Sequence, residues 1–202
     1  MALSDYVEEK YLGESAKKAL KAQFSNSKPF PYLELKGFLS PRISKKLLSA
    51  LSKEEFIPKE ADLFKLKHTN DIASSKVKEL QDFRSFLLSV KFISYMESIT
   101  GLKLKRKAID LSGSLYEDTN YLLCHDDQLE GRKIAFLFYL SSMGRNDGGS
   151  LALINKQLKA EKRIVPQMGT LAFFEVSPIS YHEVEEVLVK KQRLALGGWF
   201  HG

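Results

Sequence analysis

From residue 101 onward the chain breaks into short apolar runs, AIDLSGSLY, NYLLCHD, KIAFLFYL, GSLALI, RIVP, TLAFFEV, SYHEVEEV and RLALGGWF, with Gly, Asn, Asp, Pro and Lys in the gaps. Runs this short cannot bury themselves one at a time. The arrangement that satisfies many of them together is a sandwich or barrel whose two apolar faces pack on each other. The expected fold class is therefore α+β, a double-stranded β-helix (jelly-roll) core with a supporting N-terminal helical half. The core is placed over 107–202 and the helical support over 40–101, within one domain of residues 30–202. Residues 1–29, polar and lysine-rich, form an extension with a short helix.

The first half reads differently. Ser15 can cap AKKALKAQF, and PFPYLELKGF, bracketed by Pro29 and Pro31, suggests an extended segment near a sheet edge. Ser40-Pro41 gives a cap with proline at the first helical position, and Ile43, Leu47, Leu48 and Leu51 share one face of the helix it opens. DLFKLKHTNDI looks extended. Helical spacing returns from Ser74 through Val77, Leu80, Phe83 and Leu87 and closes at Gly101, with Phe86, Phe92 and Tyr95 as core filler between helices and sheet.

At 202 residues with 44% hydrophobic content, the chain can bury a substantial core. No apolar run approaches a membrane span, and the start, MALSDYVEEKYLGES, is too polar and acidic for a signal peptide. The expectation is an intracellular protein, cytoplasmic and/or nuclear. Cys124 is the only cysteine, which excludes an intrachain disulfide and a CxxC zinc site, and a buried core position is expected for it. The net charge of +6 permits weak attraction to nucleic acid or a ribonucleoprotein, and GLKLKRK at 101–107 is the densest basic cluster, read as a solvated face.

Chemistry concentrates in YLLCHDDQLEGRKIAFLFYL, residues 121–140. In an extended strand, side chains at i and i+2 share a face, so His125 and Asp127 point together while Asp126 points away. The best placed third ligand is His182 in SYHEV. Two histidines and a carboxylate on one face of an ion make the facial triad of non-haem Fe(II) oxygenases. Arg193 follows His182 by 11 positions, at the head of the last strand. Consecutive antiparallel strands are often neighbours, so its guanidinium can face the same pocket.

A three-ligand ferrous site leaves positions for a 2-oxo acid and for dioxygen. The far carboxylate of 2-oxoglutarate then needs a fixed cation, which Arg193 supplies with bidentate geometry. Tyr139 is a phenolic partner for that carboxylate and Tyr116 a second candidate in the pocket wall. The plain alternatives are a hydrogen-bonded core histidine at 182, an Arg193 ion pair with Glu183 or Glu185, and two tyrosines that only line a wall. The pairs Gly148-Gly149 and Gly197-Gly198 read as turn or bulge positions rather than phosphate loops.

The stretch DLSGSLYEDTNYLLCHDDQLEGRKIAFLFYL, together with FFEVSPISYHEVEEVL and RLALGGWFHG, resembles the 2-oxoglutarate and Fe(II)-dependent prolyl 3-hydroxylases that modify a small-subunit ribosomal protein at the decoding centre. DLFKLKHTNDI and DFRSFL are similar to that family's helical half, so the likeness runs from about residue 30 to the end. The resemblance implies iron held by His125, Asp127 and His182, and 2-oxoglutarate held by Arg193 and Tyr139 with Tyr116 as a further contact. It also implies dioxygen as co-substrate, ascorbate as a supporting reductant, and hydroxylation at carbon 3 of a proline in a peptide loop of the ribosomal partner, with an effect on translation.

Eukaryotic members of that family continue into a second β domain, so substrate docking and oligomeric state stay open. The loop SSMGRNDGG, expected near the pocket mouth, is shorter than theirs. Two other readings are carried forward: a related oxygenase acting on another peptide, a nucleic acid or a small molecule, and a noncatalytic jelly roll that binds ribosome or RNA.

Overall fold

In the computed structural model, residues 2–202 are described. The order is α1 (Glu14–Asn26), β1 (Tyr32–Leu35), α2 (Pro41–Leu51), β2 (Ile57–Ala61), β3 (Phe64–His68), α3 (Lys78–Leu87), α4 (Val90–Thr100), β4 (Ile109–Tyr116), β5 (Tyr121–His125) and β6 (Arg132–Tyr139). β7 (Leu151–Ile154), β8 (Ala160–Ile164), β9 (Leu171–Glu175), β10 (His182–Val184) and β11 (Arg193–His201) follow. All eleven strands join one antiparallel sheet in the order β1-β9-β6-β11-β4-β3-β5-β10-β7-β8, with β2 on β3. β3 pairs with both β4 and β5, so it bridges two halves, β9-β6-β11-β4 and β5-β10-β7-β8, that fold over each other. This is the double-stranded β-helix expected from the short strands.

Side-chain alternation decides what each face does. On β6, Ile134, Phe136 and Phe138 join Leu194, Leu196 and Phe200 of β11 in a core shared with α1 to α4. The intervening Ala135 and Tyr139 of β6 and Ala195 of β11 turn inward, against Leu151, Leu153 and Ile164 of the other half. A strand buried on both faces reads as a continuous apolar run, which is why KIAFLFYL lacks polar alternation. Phe83 of α3 is fully buried, with its ring 5.1 Å from Phe138 and 5.6 Å from Tyr6. Truncating it to alanine removes a side chain from the centre of the helix–sheet layer, and Phe83→Ala is expected to cost about 3–5 kcal/mol in urea unfolding.

Several local expectations hold. β1 lies at the sheet edge, the Ser40 hydroxyl accepts from the Ile43 amide to cap α2, and Gly101 ends α4 in the left-handed conformation (φ 75°). Others change. α1 begins at Glu14 with Gly13 as its cap, and no side chain caps it. The helical stretch after Ser74 divides, because Ser89 accepts from the Phe92 amide and starts α4 anew. β2 was not expected, its only partly buried residue being Ile57.

Gly197 and Gly198 are not at a turn. Both sit inside β11, where a Cβ at Gly198 would lie 1.9 Å from the Asp110 carbonyl oxygen. Cys124 is exposed rather than in the core. The half containing β5 has no helix against its outer face, and a register shift opposite β10 leaves both Leu123 and Cys124 on the solvent side. Among the described residues no helix is long and apolar enough to cross a membrane.

Candidate metal centre

β5 and β10 pair so that His125 and His182 are directly opposite, and their ring centroids are 4.2 Å apart. Asp127 follows two residues after the end of β5, in an irregular connection. Asp126 turns aside there, its Oδ1 accepting from the Gln128 amide. Asp127 thereby meets both imidazoles, with Oδ1 3.6 Å from His125 Nε2 and Oδ2 3.4 Å from His182 Nε2. One ligand atom from each of the three residues lies within 4.8 Å of the others, spacing that could hold a single ion.

The ring nitrogens are already assigned their tasks. Nδ1 of His125 is 2.8 Å from the Leu123 carbonyl oxygen and Nδ1 of His182 is 2.9 Å from that of Ser180. A carbonyl can only accept, so each Nδ1 carries a proton and each Nε2 is the atom aimed at Asp127. Burial alone would lower the His125 pKa, but its hydrogen bonds with Asp127 and the Leu123 carbonyl outweigh that and raise it. Burial against the Phe174 ring, 4.5 Å away, pushes the His182 pKa down to about 4 and keeps it neutral. Burial opposes ionisation of Asp127, but the polar groups around it, led by its hydrogen bond with His125, outweigh burial and hold the carboxyl below its usual range.

The His182 shift has a sign that can be checked. Its folded pKa is depressed, so between about 6.5 and 4 the unfolded chain binds a proton that the folded chain does not, and stability falls as pH falls through that window. In metal-free protein this slope is worth roughly 3 kcal/mol. His182→Gln, compared with the parent by urea unfolding across pH 7 to 4, is expected to remove it.

Arg193 is fully buried at the start of β11. Its Nε donates to the Gly149 carbonyl (2.7 Å), while both terminal nitrogens lack any hydrogen-bond partner among the described residues. The Cζ atom lies 4.8 Å from the Tyr116 ring centroid and 5.2 Å from that of Tyr139, whose buried hydroxyl is also unpartnered. Burial pushes the Tyr116 pKa up to about 12 and raises that of Tyr139, so both phenols are donors at neutral pH. A guanidinium left unpaired in the interior costs several kcal/mol, and an anionic group seated on it would recover that cost. The chemistry of these donors fits an Fe(II) ion on the triad and the far carboxylate of a 2-oxo acid on Arg193.

A cavity of about 610 Å³ connects these groups, and Tyr116, His125, Asp127, His182 and Arg193 all line it. Tyr139 is fully buried against Arg193, its hydroxyl without a partner among the described residues. The structure therefore brings together every residue that the sequence nominated. The route differs in one respect: β10 and β11 are not neighbours, and Arg193 meets the triad because the two halves face each other. The loop 141–149 reaches this site through the Gly149 carbonyl, which accepts from Arg193 Nε.

Sequence reading missed Arg132 and Trp199. The Arg132 Cζ stacks 3.4 Å from the Trp199 ring centroid, with Nη1 4.0 Å from Asp127 Oδ1 and Nε 3.9 Å from Asp110 Oδ2. Counting by twos along β11 from Arg193 finds Trp199. Arg132 is hidden because the register shifts between Phe200 and His201, where β11 meets it.

The profile of the 2OG-Fe(II) oxygenase superfamily matches residues 111–201. Prolyl 3-hydroxylase OGFOD1 of Xenopus laevis is 38% identical over 185 residues, covering 88% of this chain and 36% of that protein. Prolyl 3,4-dihydroxylase OGFOD1 of Ostreococcus tauri is 32% identical over 200 residues, covering 87% of this chain and 38% of that protein. The chain thus spans little more than a third of these curated relatives. Among solved structures, a Pseudomonas putida prolyl-4-hydroxylase superposes with a TM-score of 0.75 at 18% identity, covering 92% of this chain and 98% of that one. A Trichoplax adhaerens prolyl hydroxylase, solved with a hypoxia inducible factor peptide fragment, gives 0.75 at 17% identity, covering 93% and 90%. Sequence likeness, shared fold and a cavity that joins two histidines and a carboxylate to a buried arginine lead to one assignment: residues 111–201 form a domain of the 2OG-Fe(II) oxygenase superfamily.

Proposed function

We propose that the chain is an Fe(II)- and 2-oxoglutarate-dependent dioxygenase that hydroxylates a proline at ring carbon 3 in a peptide loop of a small-subunit ribosomal protein. His125, Asp127 and His182 hold the iron. Arg193 and Tyr139 hold the far carboxylate of 2-oxoglutarate, with Tyr116 beside them. The observation that carries this reading is the buried guanidinium with both terminal nitrogens free, opening onto the same cavity as the triad. When bound, iron with 2-oxoglutarate and dioxygen supplies an oxidant strong enough for an unactivated C–H bond, with succinate and carbon dioxide as coproducts.

The residues of the chain bind, orient and keep water out. The Leu123 and Ser180 carbonyls accept from Nδ1 of His125 and His182, which leaves Nε2 of each ring to face the ion. Apolar side chains, among them Leu66, Leu122, Leu151, Phe174 and Val184, wall the cavity and strengthen every charge interaction inside it. A prolyl ring, carrying no charge and no N–H, suits such walls.

The prolyl hydroxylases among its relatives support proline as the target, and the resemblance carried by CHDDQLEGR supports the ribosomal class of substrate. A cytoplasmic or nuclear setting accords with that partner, and the exposed Lys103, Lys105, Arg106 and Lys107 offer a weak contact for ribosomal RNA. The test is mass spectrometry of ribosomal protein incubated with the protein, iron, ascorbate and 2-oxoglutarate. One added oxygen on a single proline is expected. Succinate formation with no ribosomal proline oxidised would overturn the substrate assignment and leave the oxygenase chemistry standing.

A further inference from the structure

Among the polar groups of the cavity wall outside the triad and the arginine end, two lie side by side on adjacent strands. Ser114 of β4 and His68 of β3 are register partners on adjacent strands, and both line the cavity. Ser114 is only 7% exposed, and its hydroxyl has no hydrogen-bond partner among the described residues. The His68 ring has no hydrogen-bond partner among them either, and burial, reinforced by Lys59, lowers its pKa so that it is neutral at pH 7. Two residues along the same strand lies Tyr116, which also lines the cavity. A buried hydroxyl without a partner costs stability unless a ligand completes it.

Proline has no backbone N–H, so around a target proline the near polar groups are carbonyls, its own and that of the residue before it. A subsite that grips the backbone there must donate. A serine hydroxyl and the N–H of a neutral imidazole are both donors, and neither carries the charge that would compete with Arg193 for a carboxylate. We propose that Ser114 and His68 form a donor subsite for a backbone carbonyl of the peptide at the target proline, and so fix how its ring is presented. This rests on the hydroxylase reading given above.

The test measures KM for a prolyl peptide and, separately, for 2-oxoglutarate. Ser114→Ala and His68→Leu are each expected to raise the peptide KM about 5- to 10-fold, the loss of one neutral hydrogen bond. His68→Gln, which keeps an N–H donor, should stay near the parent value, and an unchanged melting temperature serves as the check that each variant is folded. If the parent oxidises the peptide while Ser114→Ala and His68→Leu match it, the subsite is refuted and the hydroxylase reading survives. An equal rise in the 2-oxoglutarate KM would assign Ser114 to the co-substrate and likewise refute it. If the parent turns over 2-oxoglutarate but oxidises no prolyl peptide, the hydroxylase reading fails and takes the subsite with it.

Discussion

Asp127→Ala is expected to abolish iron-dependent conversion of 2-oxoglutarate to succinate while the protein stays folded. Asp127 is the one group that touches both imidazole Nε2 atoms, so its loss leaves two histidines and no anionic ligand. Losing an outer partner of a metal ligand typically costs about 10- to 100-fold in affinity or activity, and losing the ligand itself should cost more, taking turnover to background. The carboxylate lines the cavity and sits outside the three apolar cores, so its truncation opens space that water can already enter. The melting temperature is expected to move by only a few degrees. Succinate release at the parent rate with iron present would show that the triad is not the metal site.

Arg193→Met should separate binding from stability. The guanidinium offers two free nitrogens, and hydrogen bonds to a charged group are worth about 1.5–3 kcal/mol each. Losing both weakens 2-oxoglutarate by about 10²–10⁴-fold. In ligand-free protein the same change removes a buried, uncompensated charge and keeps an apolar stem between Tyr116 and Tyr139. The variant is therefore expected to melt at or above the parent temperature. A variant that is both unstable and still saturable at parent 2-oxoglutarate concentrations would make Arg193 a structural residue only. The surface ion pair with Glu183 or Glu185 is already excluded, because Arg193 is buried and Glu185 pairs with Arg163.

The strand half of the fold was legible because its turns are marked by Gly, Asn, Asp and Pro and its runs are too short to be anything else. The helix boundaries were less so. Ser89 looks like any other serine in a helical stretch until its hydroxyl is seen accepting from Phe92. The site was legible to the extent that period-two alternation reaches it: His125 with Asp127, and Arg193 at a strand head. It failed at irregularities. The shift between His182 and Val184 put Cys124 in solvent, and the one between Phe200 and His201 concealed Arg132 beside Asp127. Ser114 and His68 gave no signal, because nothing in a sequence marks a hydroxyl left without a partner.

The most direct measurement is a crystal structure of the protein grown without oxygen in Fe(II) and 2-oxoglutarate, with anomalous scattering recorded at the iron edge. The account predicts one iron peak bonded by His125 Nε2, an Asp127 carboxylate oxygen and His182 Nε2, with the far carboxylate of 2-oxoglutarate across the two terminal nitrogens of Arg193. Iron bound elsewhere, or 2-oxoglutarate seated away from Arg193, would contradict it.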